Sequence, residues 1–334
     1  MLELGKKCWQ ASNPMANPLD LKKRILGIIS RHGSATVSEI AKRLGTRAHV
    51  IRYRLQELIA SGSLTQSILI DPRPLGYSIY NFYFDVAAEQ VSAVLTFLQK
   101  QQEVAWVMEN SGPRRFEATL VVKDYWELNR IFDNLGTVTD IHIERPLLSM
   151  PGNVYHWGMR FLDNSRDEAP PMVLNRPNDR YEADDLDLSI LHALRESGDG
   201  SLSSIARLLR VPNGTVSYRY DRLRRAGVVT DPAYFLVRDV PDLIHAQILL
   251  LLKSRASRNC ERLMAFCKEN VNVEELISCV GQWDYKLTVY SDSVEGLLKV
   301  EDMLRHELGA VVAEFSTFIR RRVLKSSLGM RRHH

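Results

Sequence analysis

Two sets of side chains in this sequence have the spacing that presents hydrogen-bonding groups along one face of a helix. The first is Arg47, His49, Arg52, Tyr53 and Arg54, and the second is Asn213, Ser217, Tyr218 and Arg219. Arginine carries a planar fork of donors that matches guanine edges and phosphates, asparagine suits adenine, and hydroxyls reach phosphate oxygens. Between them stand Ile51, Leu55 and Leu58 in one segment and Val216, Tyr220 and Leu223 in the other, an apolar face pointing inward. This offers contact with double-stranded DNA from the major groove. For either segment alone, a solvated face on an ordinary three-helix packing is the plainer alternative.

The distribution of charge favours nucleic acid. From Leu19 to Gly62 there are nine Lys/Arg against three Asp/Glu, and from Leu186 to Gly227 seven against four. The chain of 334 residues carries only +4, so everything outside those segments is net acidic. Charge serving solubility alone would be spread out, whereas two contact surfaces would concentrate it in this way.

The two segments are copies of one unit. Shifted by 165 residues, positions 20–62 match the later stretch without a gap at 13 of 43 places, among them Ile25/Ile190, Ala41/Ala206, Tyr53/Tyr218, Arg54/Arg219 and Gly62/Gly227. Most of these are apolar positions at helical spacing or punctuating glycines, the places a shared fold constrains. The repeat continues more weakly at an offset of 169, where Ser111–Phe116 falls on Val280–Tyr285.

Three short helices are expected to open each copy. Leu21, Ile25, Ile28 and Ile29 form the stripe of the first, which ends near Gly33. Thr36 and Glu39 make a capping box at the start of the second, Gly45 supplies the turn, and Thr46 is expected to cap the third. In the later copy Pro212 is expected at the first helical position. Beyond the helices the pattern becomes strand, helix, two strands, helix, strand. It reads as Ser78–Val86, Val91–Gln101, Val104–Glu109, Phe116–Val122, Tyr125–Leu135 and Val138–Glu144 in the first copy. In the second it reads as Ile244–Leu252, Cys260–Asn270, Val273–Cys279, Trp283–Tyr290, Val294–Leu308 and Val311–Ile319.

The fold class is therefore α+β: two copies of a winged-helix-like helix-turn-helix domain, each followed by a ferredoxin-like βαββαβ domain, the latter paired sheet to sheet. The expected divisions are a tail (1–18), a helix-turn-helix domain (19–70), an α/β domain (71–148), a linker (149–184), a second helix-turn-helix domain (185–238), a second α/β domain (239–325) and a tail (326–334). The first part of the linker holds Asn153–Leu162, which could dock as an extra strand on a partner the sequence does not identify.

Composition narrows the remaining classes. Hydrophobic residues at 45% and charged residues at 25% describe an ordinary globular chain. No apolar run approaches the roughly 18–20 residues of a membrane span, and the first residues do not read as a signal peptide. Cys8, Cys260, Cys267 and Cys279 are too scattered for a disulfide framework, so a reduced, cytoplasmic protein is expected, with Cys260 and Cys267 as helix packing. No metal-binding spacing, phosphate loop or dinucleotide glycine set is present, and neither a metal nor a cofactor is expected. His142, His245 and His306 are isolated, and His333 and His334 read as a tag remnant.

With these residues in view, the chain resembles the Lrp/AsnC (feast/famine) regulators, over roughly 270 residues covering both halves. The stretch from Ser203 to Val229 and the turn Gly281-Gln282-Trp283-Asp284-Tyr285 carry the resemblance. It implies a DNA-reading helix-turn-helix and a domain that senses an amino acid or similar small effector between paired sensing domains. Members are mostly single units that dimerise, so this chain would be a dimer fused into one polypeptide, with further homo-oligomers expected. The effector turn carries over as Gly281, Asp284 and Tyr285. In the first copy it becomes Gly112 and Arg115, where arginine replaces the aspartate and would suit a carboxylate or phosphate. Because Arg52 and His49 in one recognition helix stand opposite Ser217 and Gly214 in the other, unlike half-sites are expected on the DNA.

Two alternatives stay open at the level of sequence. Sirohaem decarboxylases resemble this architecture and also occur as fused pairs, but they share a His- and Arg-rich central segment. The corresponding stretches here, 104–120 and 273–287, contain no histidine. The other alternative is a sensing protein that has lost DNA binding.

Overall fold

The structure, a computed structural model, describes residues 18–33, 35–61, 64–112, 114–139, 147–163, 171–174, 180–197, 201–230, 233–236 and 243–326. Helix α1 (Pro18–Arg31) buries Ile25, Leu26, Ile28 and Ile29. Helix α2 (Val37–Leu44) opens on the capping box, with Glu39 N donating to Thr36 Oγ1 at 3.3 Å and Thr36 N donating to Glu39 Oε2 at 2.7 Å. Gly45 ends α2 at a left-handed φ of 61°, and α3 (Ala48–Ala60) buries Ile51, Leu55 and Leu58. Thr46 does not cap α3. Its amide donates to Ala41 O to finish α2, and the N-cap position falls to Arg47, whose side chain makes no cap.

There follow β1 (Leu64–Ser67), β2 (Ser78–Phe84), α4 (Val91–Lys100), β3 (Val104–Ser111), β4 (Phe116–Val122), α5 (Tyr125–Thr139), β5 (Leu147–His156) and β6 (Met172–Leu174). The second copy comprises α6 (Asp185–Ser197), α7 (Leu202–Leu209), α8 (Asn213–Arg225), β7 (Ala233–Leu236), β8 (Ile244–Leu252), α9 (Ser257–Glu269), β9 (Val273–Gly281), β10 (Tyr285–Ser291), α10 (Val294–Leu308) and β11 (Val312–Ser326). Pro212 is the N-cap of α8, one residue earlier than expected, which is still a position where a missing N–H costs nothing.

The expected strand Val138–Glu144 is not the last strand of the first copy. Val138 and Thr139 continue α5, residues 140–144 lie outside the described residues, and the strand is β5. Local β-propensity at two residues yields to the helix already running through them. β5 also takes up the start of the stretch read as linker, and that stretch docks on the opposite half of the chain.

Each half keeps the ferredoxin-like order, β5-β2-β4-β3 in the first and β11-β8-β10-β9 in the second. The two sheets are then sealed edge to edge by their last strands. β11 pairs β8 over Val312–Ile319 and β3 over Ile319–Ser326. β5 pairs β2 over Leu147–Ser149 and β9 over Ser149–His156. The result is a closed circuit of eight strands, with β6 added beside β5. Closure removes the unpaired edges that would otherwise invite association.

Helices α4 and α5 cover the outer face of the first sheet through Val94, Phe97, Leu128 and Ile131, and α9 and α10 cover the second through Leu263, Phe266, Leu297 and Leu304. Between the sheets lie Tyr83, Leu249, Trp283 and Phe318, all almost fully buried, each stabilising the closure by roughly 1.5–3 kcal/mol. A polar pair, Glu117 on β4 and Lys286 on β10, is enclosed with them.

The helix-turn-helix units pack crosswise. The core of α1–α3 includes Tyr290, Met159 and Leu162, whereas that of α6–α8 includes Ile68, Tyr77, Ala105 and Val121 from the first half. β1 and β7 pair as an antiparallel ribbon that joins the two units. The joining stretch is fastened at both sides. Arg31 pairs with Asp163 at 2.9 and 2.5 Å, and the buried Arg160 donates to the carbonyls of Cys267, Lys268 and Asn270 at the C-terminal end of α9. Burial depresses the pKa of Arg160, whose charge is opposed by the negative end of the helix dipole.

Candidate nucleic-acid interface and effector turn

In the first unit, Arg47, His49, Arg52 and Tyr53 are exposed along the start and outer face of α3. In the second, Asn213 and Tyr218 are exposed on α8 and Ser217 is half-buried. Tyr53 and Tyr218 occupy equivalent positions and are 57% and 59% exposed. Each ring has a guanidinium nearby, Arg54 at Tyr53 and Arg222 at Tyr218, and its open side is suited to thymine methyls and sugars in a groove.

Arg54 and Arg219 are placed differently. Arg54 Nη1 donates to Glu57 at 2.6 Å. Arg219 Nη1 reaches Asp184 at 2.6 Å and the buried Asp187 at 3.3 Å, and Asp187 also accepts from the Tyr181 hydroxyl at 2.9 Å. The hydrogen bond from Asp187 N, with further help from Arg219, keeps the Asp184 carboxyl below the usual range. Arg219 thus ties α8 to the start of α6, whereas Arg54 pairs within α3, on a Glu57 that also pairs with Lys22 of α1. The structure separates both arginines from the outward set, a division that sequence spacing alone does not make.

One further residue went unnoticed in the sequence. Arg210 ends α7 at a φ of 56°, the left-handed position that Gly45 fills in the first unit, and it is the one non-glycine residue at positive φ among the described residues. It is exposed, and the helical turn into α8 begins two residues later. The offset of 165 that aligns it with Gly45 was the available signal.

The turns expected to take an effector lie at the seam between the halves. Gly281 has a φ of 123° and Gly112 a φ of 144°. The Asp284 carboxylate accepts from Leu252 N at 2.7 Å and lies 3.3 Å from Arg255 Nε, with 13% of the side chain exposed. Tyr285 is buried, with its hydroxyl donating to Cys260 Sγ at 3.0 Å, and burial raises its pKa. In the first copy Arg115 donates to Glu109 at 2.9 and 3.0 Å, and its amide donates to Asp85 at 2.8 Å. Burial alone would raise Glu109, yet hydrogen bonds from Arg115 and Arg322 hold it below the usual carboxylate range. The turns are thus unlike: a carboxylate beside one arginine in the second copy, and arginines gathered on a buried glutamate in the first. Among the described residues no group of histidines, cysteines and carboxylates forms a metal site, and no helix is long and apolar enough to cross a membrane. Cys260, Cys267 and Cys279 are free thiols; Cys8, His142, His333 and His334 lie outside the described residues.

The fold and the outward helices define a winged helix-turn-helix DNA-binding protein, and the model of that family matches residues 19–63 and 184–230. The regulator FL11 of Pyrococcus horikoshii is 32% identical over 130 residues, covering 38% of this chain and 86% of its own length. The regulator LrpA of the same organism is 30% identical over 114 residues, covering 34% and 81%. A siroheme decarboxylase, NirDL, superposes with a TM-score of 0.58 at 13% identity over 93% of both chains, a likeness of fold. The chain belongs to the Lrp/AsnC family of HTH-type transcriptional regulators, in a form that carries the unit twice.

Proposed function

We propose that this chain is a pseudo-dimeric transcriptional regulator whose two recognition helices read unlike half-sites, modulated by a small amino-acid-like effector at the second-copy turn. The observation that carries this reading is the contrast between the two exposed helix faces. Arg47 and Arg52, beside His49, give the first unit cationic donors, whereas Asn213, Ser217 and the flanking Arg210 give the second a sparser, mostly neutral set. The first unit therefore supplies most of the phosphate binding, and Asn213 supplies adenine selectivity. The crosswise packing ties each helix-turn-helix to the other half's sheet, so a ligand that shifts the seam bears on both units. In the second copy Gly281, Asp284 and Tyr285 take an effector ammonium group. In the first, Gly112 and Arg115 serve mainly the seam. Pseudo-dimeric chains assemble further into homo-oligomers.

Selection from a randomised duplex library, followed by a salt titration on the selected site, tests this. The expected product is two unlike half-sites about one helical turn apart, bound with a log–log salt slope near −0.9 per neutralised phosphate. A palindromic product, or binding indifferent to sequence, would overturn it. Effector binding is tested by titrating amino acids against the parent protein and Asp284→Asn, which keeps the side-chain shape and should lose the ligand.

A further inference from the structure

We infer that the buried Glu117–Lys286 pair selects the partner of each sensing sheet, admitting the other half of the same chain and excluding the like half of a second copy. This rests on reading the chain as a fused pair. Glu117 and Lys286 meet at 3.2 Å with side chains 0% and 8% exposed. They are also the same residue of the repeat. Glu117 lies opposite Met108 in the β3–β4 register, Lys286 lies opposite Ile277 in the β9–β10 register, and both pairs are related by the 169-residue offset that links Gly112 to Gly281. Equivalent residues in mutual contact lie on the pseudo-two-fold axis.

In a symmetric pair of identical halves, a residue on the axis meets its own copy. Two first halves would set Glu117 against Glu117, and two second halves would set Lys286 against Lys286, in each case away from water. Buried like charges add repulsion to the cost of desolvation. Within the chain the opposite holds. Burial alone would depress Lys286, but the Glu117 carboxylate, together with Cys279 and Glu275 acting in the same direction, outweighs it, and the ammonium keeps its proton. Other equivalent positions near the axis differ in size, such as Ser149 where the second half has Phe318 and Tyr83 where it has Leu249. Mismatches of that kind relax by repacking, whereas a buried charge does not. The consequence is that the two unlike recognition helices are always presented together.

Cross-strand register gives a test in the full-length chain. Met150 lies opposite Val280 and Ser111 opposite Ile319. In a like-with-like pair, Met150 of one chain would instead face Ser111 of the other. Under mild oxidation M150C/V280C should close within one chain, and S111C/M150C should give no two-chain band. Failure of the first disulfide would count against the fused-pair reading itself. Placed in E117M/K286M, the S111C/M150C reporter should produce a linked band at twice the 38.2 kDa chain mass, and in E117K/K286E, with the charges exchanged, it should not. A two-chain band in the parent background, or none in folded E117M/K286M, overturns the proposal. A second arm does not depend on the methionine variant. E117K/M150C co-expressed with S111C/K286E/V280C should link chain to chain, because within either chain the pair is then of like charge and only pairing between the two chains sets lysine against glutamate. Absence of that link also overturns the proposal.

Discussion

Gly281 lies so close beneath Leu148 that a Cβ built on it would sit 2.5 Å from the Leu148 carbonyl oxygen, and Gly112 stands to the Thr317 carbonyl in the same way at 2.8 Å. Both backbones are left-handed, so a side chain at either site brings strain as well as collision. The glycines of these two turns therefore let the last strand of the opposite half cross the seam. Gly281→Ala and Gly112→Ala should each lower unfolding free energy by about 2–4 kcal/mol. Urea denaturation measures this; a change within error at both sites would mean that the seam does not need the glycines.

The two classes of arginine in the helix-turn-helix units should separate in experiment. Arg52→Ala removes an exposed group and should weaken DNA binding, relaxing one half-site by about 1–3 kcal/mol at unchanged stability. Arg219→Ala leaves the buried Asp187 without its cation, with only Tyr181 and Asp184 N as hydrogen-bond donors. It should cost about 1–3 kcal/mol of stability, with Arg219 itself partly exposed, and should affect DNA only through loosening of α8. Thermal melts set beside binding isotherms distinguish the two. Equal effects of both variants on both readouts would remove the distinction.

What the sequence showed, and what it concealed, follows from the range of the interactions. The inward residues Ile51, Leu55, Leu58, Val216, Tyr220 and Leu223 are all buried, because helical periodicity reports the nearest packing partner. The capping box at Thr36 and Glu39 was legible for the same reason: it is closed within four residues. Which strand completes the first sheet was not legible, because β5 is chosen by pairing with β9, more than a hundred residues away. The inward turn of Arg219 depends on Asp184 and Asp187 in another helix region, and its own segment looks the same whether it faces carboxylate or DNA. Glu117 and Lys286 read as ordinary strand residues until the repeat offset and the sheet closure bring them together.

Glu274, at the start of β9, gives the stability a pH dependence. Burial pushes its carboxyl up from 4.5 to about 7, with Glu275 pushing the same way and His156 and Arg320 opposing. A carboxyl with a raised folded pKa binds its proton more tightly in the native state than in the unfolded chain. Its contribution is thus fully present below the unfolded pKa and is lost as pH climbs from 4.5 through about 7. Glu274→Gln should match the parent near pH 4 and exceed it by about 1–2 kcal/mol at pH 8, the range reflecting a side chain that keeps partial exposure. Denaturant titrations at the two pH values check this; a gap that does not widen with pH would show that the carboxyl is solvated in the folded state.

Arg210 offers the sharpest separation of stability from function. At a φ of 56° it occupies a conformation that costs an L-residue roughly 1–2 kcal/mol, while the equivalent Gly45 occupies it freely. Strain kept at one copy of a repeated turn, on an exposed arginine just ahead of α8, points to a role for the side chain. Arg210→Gly should raise unfolding free energy by about 1 kcal/mol and at the same time weaken DNA binding, lowering the salt slope by about 0.9 if the guanidinium neutralises one phosphate. Arg210→Lys keeps both the charge and the strain, so it should leave both quantities near the parent values. A glycine variant that gains stability with no loss of affinity or salt dependence would mean that the arginine is tolerated at this turn without serving the interface.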